Sequence, residues 1–319
     1  MREDAQFTSH GVRCSAWVYR PDGSAGGPAT PARDTPARDT PAPAAPAPAI
    51  VMAHGFGCIR DLRLPAYAER FRDAGFVVVV FDYRHFGASD GQPRQLLDIG
   101  RQLDDWRSAL AFTRSLPGVD PDRVIAWGTS FSGGHVLTLA GTGERLAGVV
   151  AQVPHVSGPA AVRATGLAAA LRLGPAILDD LWRSLRRREP RYVRLVGRPG
   201  DTAVMTSPDA DPAVDRLAAD SGLRRSDFRD DVAARILARI GFYSPIRHTR
   251  RITCPTLVQI ATGDAITPAA TARRAAERIP DGRYLEYPCE HFDPYVDPHF
   301  ERIVADQLEF CVSLVSPDA

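Results

Sequence analysis

The chain of 319 residues contains no lysine: all 39 of its basic side chains are arginine. Schiff-base chemistry, a P-loop and a Ser-Lys dyad all depend on an amine, so each is excluded. An excess of either charge is also missing. The arginines meet 38 acidic residues for a net charge of +1, which gives no electrostatic footprint for nucleic acid. No run approaches the roughly 18 uncharged apolar residues of a membrane-spanning helix, so neither a span nor a membrane partner is expected. The opening MREDAQFTSHG carries acidic groups and no apolar centre, unlike a secretory signal. Cysteine is sparse and odd in number. Cys14, Cys58, Cys254, Cys289 and Cys311 lack metal-ligand spacing, and reduced thiols in the cytoplasm are the simplest reading.

What is present is ordinary globular material, 44% hydrophobic and 24% charged. One segment stands apart. Residues 22–48 carry a tandem TPARD repeat and alternating Pro-Ala. Proline fixes φ and removes donors, so an extended, flexible insertion between strands at 15–20 and 49–53 is expected there. Beyond it, strands alternate with helices. FVVVVFDYR (76–84) reads as a buried parallel strand, and Leu96, Ile99, Leu103, Trp106 and Leu110 form one helical stripe. Strands follow at 123–129, 146–154 and 256–264, then RYLEYP, with helices at 132–141, after Thr267 and at 300–314. This rhythm predicts an α/β fold, a mostly parallel sheet covered by helices on both faces. The stretch 155–250 breaks the rhythm. Phe228, Val232, Ile236 and Ile240 recur at helical spacing, and a mainly helical lid over a core of 1–154 and 251–319 is the expectation.

Two serines compete as nucleophile. Ser89 lies in the literal G-x-S-x-G match, but DGQPR follows it, and no helix begins there. Ser130 sits between RVIAWGT and a helical run, at the strand-to-helix turn that exposes a hydroxyl. A serine hydroxyl needs a base, and the base an orienting acid. Asp264 follows one late strand and His291 the next. Asp293, two residues from His291, is poorly placed to reach its ring. An oxyanion needs two donors: the backbone N–H of Phe131 after the nucleophile, and that of Phe56 in the loop His54-Gly55-Phe56-Gly57. His54 is expected to brace that loop.

HGFG (54–57), FDYRHFGASDG (81–91), WGTSFSGG (127–134), GDAITP (263–268) and CEHFD (289–293) together resemble the serine hydrolases of the α/β-hydrolase superfamily. They are most similar to a cytosolic bacterial esterase-like branch, which includes relatives of acetylxylan esterases and Xaa-Pro dipeptidyl peptidases. VMTSPDA (204–210) is also like that branch. The chain order Ser, Asp, His is that of this fold. Ser132 departs from the glycine usual at its position. The resemblance implies hydrolysis of a small-molecule carboxylic ester or thioester through an acyl-enzyme on Ser130, without cofactor or metal. Acyl transfer or acyl elimination by the same triad is an alternative, as is a ligand-binding protein that has lost the chemistry.

Three features attract rival readings. Arg183, Arg186, Arg187, Arg188, Arg191, Arg194 and Arg198 read as a solvated face or as a clamp for a phosphate-bearing thioester. Cys58 reads as a buried thiol rather than a nucleophile. His291, Asp293 and His299 lack regular ligand spacing for a metal.

Overall fold

The computed structural model describes residues 2–22 and 45–315. The insertion expected at 22–48 therefore falls, apart from its ends, outside the described residues, and strand β3 already begins at Ala47. In chain order the core holds β1 (Arg2–Ser9), β2 (Val12–Tyr19), β3 (Ala47–Ala53), α1 (Leu64–Asp73), β4 (Val77–Phe81), α2 (Ile99–Arg114), β5 (Val119–Thr129), α3 (Phe131–Gly141) and β6 (Gly148–Gln152). Then come α4 (Gly158–Thr165), α5 (Leu167–Leu185), β7 (Tyr192–Val196), β8 (Ala203–Met205), α6 (Ala210–Asp220), β9 (Asp231–Ala233) and α7 (Leu237–Ile240). The chain returns through β10 (Thr256–Ala261), α8 (Ala269–Ala276), β11 (Gly282–Tyr287) and α9 (His299–Ser313).

Eight strands form one sheet in the order β1-β2-β4-β3-β5-β6-β10-β11. The pairs β1–β2 and β2–β4 are antiparallel, and every other neighbouring pair is parallel. In β4, β6 and β10 every residue is buried, so both faces of the central sheet are covered. This is the expected α/β architecture. Strand β1 is an addition to the sequence reading. Its exposed residues alternate with more buried ones and its start is charged, the pattern of an edge strand that gives little apolar signal. Helix α2 starts three residues later than its apolar stripe, because the Asp98 side chain caps it by accepting the Arg101 N–H.

The helix expected through Phe228, Val232, Ile236 and Ile240 is not there. Val232 lies in β9, Ile236 in a short 3₁₀ turn and Ile240 in the single-turn α7. The spacing is real, but β9 pairs antiparallel with β7, and buried Asp180 accepts the Arg235 backbone N–H and binds its guanidinium. Those tertiary bonds break the segment into turns. A second sheet, in the order β8-β7-β9, thus accompanies α4, α5 and α6 in the stretch read as mainly helical.

Candidate active site

The loops after β3, β5, β10 and β11 meet at the carboxyl ends of the strands, and each contributes one part. Ser130 ends β5 and starts α3 with φ 55°, ψ −117°, a conformation costly for a residue with a Cβ. Three backbone bonds hold it: Ser130 N–H donates to Gln152 O at 2.9 Å, and its carbonyl accepts from His155 N–H and Gly134 N–H. The turn is tight enough that a Cβ at Gly128 would sit 2.3 Å from the Ser132 carbonyl. Only glycine fits there.

Ser130 Oγ lies 3.0 Å from His291 Nε2, and His291 Nδ1 lies 2.6 Å from Asp264 Oδ2. Both partners are buried. Asp264 also accepts the N–H groups of Ile266 and Thr267 on Oδ1 and the Thr267 hydroxyl on Oδ2. Burial opposes its ionisation, but His291 and these hydrogen bonds outweigh it, and the pKa lies below the usual carboxylate value. Facing a carboxylate, Nδ1 must donate, and in the neutral imidazole that tautomer turns the Nε2 lone pair toward Ser130. Asp293 is turned elsewhere: it accepts the Glu290 N–H and pairs with Arg216.

Ser89, the rival, is buried and occupied. Its hydroxyl donates to Asp82 O at 2.7 Å and accepts the Ser15 N–H at 2.8 Å. It fastens the loop after β4 to β2.

Across from Ser130, the loop His54–Gly57 closes down until a Cβ at Gly55 would be 3.0 Å from Ser130 Cβ. Among the described residues no acceptor pairs with the Phe56 N–H, and Phe131 opens α3, where N–H groups lack helical partners. The two rings meet edge to face at 5.3 Å. His54 Nδ1 donates to Gly55 O at 3.0 Å, and burial lowers its pKa to about 4, so it is a neutral brace. Cys58, partly buried behind this loop, has its thiol pushed up to about 12 by burial and supplies no thiolate near neutrality.

Two clefts flank Ser130 and share Phe56 and Met205 as walls. The smaller, about 40 Å³, is walled by apolar groups including Leu62, Leu64, Val214, Leu217 and Phe292. The larger, about 290 Å³, mixes Ala161, Ala164 and Ile240 with His155, Ser207 and Thr267. None of the seven arginines between 183 and 198 lines either cleft. Among the described residues no group of three or more His, Cys, Asp or Glu is placed to hold a metal ion.

Several supports escaped the sequence reading. The Ser132 hydroxyl, at a position where glycine is usual, bonds Tyr83 Oη at 2.8 Å and accepts from Trp106 Nε1 at 3.2 Å. Thr129 shares a short hydrogen bond with Tyr295, which ties the residue before the nucleophile to the loop of His291. Met205, Val214 and Leu217 reach the site from β8 and α6. Of these last three only Met205 lies in a stretch noted above, VMTSPDA, while Val214 and Leu217 join the site through long-range packing that leaves no local pattern.

Residues 44–289 match the family described as Serine aminopeptidase, S33. The chain is 42% identical, over 98% of its length and 95% of the relative's, to the Quorum-quenching protein AidA of Acinetobacter baumannii (strain MDR-ZJ06). It is 31% identical to the Thiohydrolase apmlB of Arthrinium phaeospermum, over 66% of this chain and 69% of the other. Among solved structures, the Alpha/beta hydrolase GrgF from Penicillium sp. sh18 superposes with a TM-score of 0.75 at 20% identity, covering 98% of both chains, a likeness of fold. With a family match over most of its length and a relative of this closeness along nearly all of it, the chain belongs to the Serine aminopeptidase, S33 family of α/β hydrolases.

Proposed function

We propose that this chain hydrolyses a carboxylic ester or thioester of a small molecule through an acyl-enzyme on Ser130. The observation that carries the reading is the hydrogen-bonded line Ser130–His291–Asp264 beneath two N–H groups with no acceptor among the described residues. In the first half-reaction Ser130 Oγ attacks the carbonyl carbon while His291 Nε2 takes its proton. Negative charge gathers on the carbonyl oxygen, and the N–H groups of Phe56 and Phe131 receive it. As the bond to the leaving oxygen or sulfur breaks, His291 returns the proton to it. In the second half His291 takes a proton from water, the resulting hydroxide adds to the acyl carbon, and Ser130 Oγ leaves and regains its proton. Asp264 holds Nδ1–H throughout and stabilises the imidazolium. No cofactor enters the scheme.

In this reading the small apolar cleft holds the end of the acyl group, and the larger mixed cleft holds the alcohol or thiol. Residues 155–250 act as a lid on the core of 1–154 and 251–319, a role supported by Met205, Val214 and Leu217 at the small cleft. The thioester half of the reading draws on the relative named a thiohydrolase. Five unpaired thiols favour work in the cytoplasm.

The test is turnover of p-nitrophenyl esters of graded chain length beside acyl thioesters, with product analysis, for the wild type and for Ser130→Ala and His291→Ala. Free acid with free alcohol or thiol, lost in both variants, is the expected outcome. An acylated acceptor or an alkene as the main product would replace hydrolysis by acyl transfer or elimination. Ligand binding without turnover of either substrate class would make the protein a non-catalytic binder.

A further inference from the structure

Helix α5 has two apolar faces, and only one of them is packed. Ala169, Leu173 and Asp180 turn inward and are buried. Leu167, Leu171, Leu178, Leu181, Trp182 and Leu185 fall within one outward arc of roughly 100°. Leu167 is 76% exposed, Leu171 68%, Leu178 69% and Leu185 86%. The stripe runs the length of the helix, about 27 Å at 1.5 Å per residue. A row of exposed leucines this long is unusual on a surface and marks something that covers it.

The charges beside the stripe specify the cover. Residues 158–191 hold seven arginines against Asp179, Asp180 and Glu189. Asp179 is paired with Arg183, and Asp180 is buried against Arg235. Arg163, Arg172, Arg186, Arg187 and Arg188 are exposed and form no ion pair among the described residues. The guanidinium carbons of Arg186 and Arg188 lie 4.3 and 5.1 Å from the ring centre of Trp182. A second copy docked on this face would bring arginine against arginine. A surface that is apolar below and anionic above suits both the stripe and its flanks: Trp and Leu enter the acyl boundary while Arg meets phosphate.

We propose that the outer face of α5 docks on an anionic lipid bilayer, lying in its surface without crossing it. An amphipathic stripe contains no long uncharged run, so the lack of such a run, on which the expectation of no membrane partner rests, does not exclude it. No single helix among the described residues is long and apolar enough to span a bilayer. Helix α4 connects this helix to the candidate site. Helix α4 meets α5 at a bend of 105°, lines the larger cleft with Ala161, Ala164 and Thr165, and turns Val162 outward. This inference goes beyond the hydrolase reading and does not depend on it.

Co-sedimentation of the full chain with vesicles tests it, using phosphatidylcholine alone and phosphatidylcholine with one third phosphatidylglycerol. The wild type sediments with the anionic vesicles, and high salt weakens the binding. Leu171→Ser/Leu178→Ser/Leu185→Ser lowers the partition by roughly tenfold or more, because the inserted apolar area is lost. Arg186→Gln/Arg187→Gln/Arg188→Gln lowers it on anionic vesicles and leaves any residual binding to neutral vesicles alone. Both triple variants alter exposed side chains and keep the wild-type melting temperature, which checks that each is folded. Absence of wild-type binding to anionic vesicles would overturn the proposal, as would undiminished binding by the leucine variant. Light scattering decides against a second copy: a wild-type dimer that the leucine variant dissociates would also overturn it.

Discussion

Ser130 and Ser89 show how little a residue type decides and how much its bonding does. Both follow a Gly-x pair, yet Ser89 has its hydroxyl committed on both sides, while Ser130 faces an imidazole in an open cleft. Asp264 is read in the same way. Four hydrogen-bonding groups converge on it, and only the carboxylate form accepts from all of them. Asp264→Asn should therefore fold but present an amide to His291, favour the wrong tautomer and lower kcat by roughly ten-thousandfold, read by steady-state turnover of a short ester. A loss under tenfold would mean that Asp264 does not orient the base. The depressed pKa of Asp264 has a stability counterpart with a fixed sign. Its contribution is present above the unfolded carboxyl value and is lost as pH falls through the lower folded one. Ser132→Ala removes a hydroxyl bonded to Tyr83 and Trp106 in a dry site and should cost about 1–3 kcal/mol in denaturant unfolding. No change in the midpoint would show that the network contributes nothing.

At the scale of elements, the parts legible in the sequence are those whose pattern is local. A run such as VVVVF, or a strand followed by Gly-Thr-Ser and a helix, carries its own signal, and β4 and the β5–α3 elbow lie where that signal put them. Segment 228–240 departs from the helical expectation because four apolar residues at helical spacing also suit a strand followed by two turns, and the deciding partners, β7 and Asp180, lie some 35 to 55 residues away in the chain. Asp180→Ala should accordingly destabilise the domain by about 3–5 kcal/mol, since the Arg235 guanidinium would stay partly buried without its partner. The walls of the small cleft were illegible for the same reason: Val214 and Leu217 reach Ser130 only through the packing of α6. Leu217→Ala should enlarge that cleft and move the best p-nitrophenyl ester of a graded series to a longer acyl chain. An unchanged optimum would place the acyl group elsewhere, with the larger cleft the next assignment.

Across the whole molecule, three histidines on the core side of the site are buried and neutral. Burial lowers His54 and His155 to about 4 and His135 to about 3, the last also because its protonated form would be disfavoured beside protonated His155 and His54. The unfolded chain takes up protons near 6.5 while the native state resists, so each histidine removes about 1.4 kcal/mol of stability per pH unit as pH falls from 6.5 toward its native value. Burial raises the pKa of Asp82 and Asp105, an opposing contribution at the acid end of that window. The melting temperature should fall steadily below pH 6.5, and His135→Gln should flatten the slope. A melting temperature constant between pH 7 and 5 would contradict these assignments. The central claim, that Ser130 is the one activated nucleophile, meets its most direct test in reaction with a fluorophosphonate followed by peptide mapping. A single adduct on Ser130, lost in Ser130→Ala and kept in Ser89→Ala, is the predicted result, whereas an adduct on Ser89 or Cys58, or none on folded wild-type protein, would contradict it.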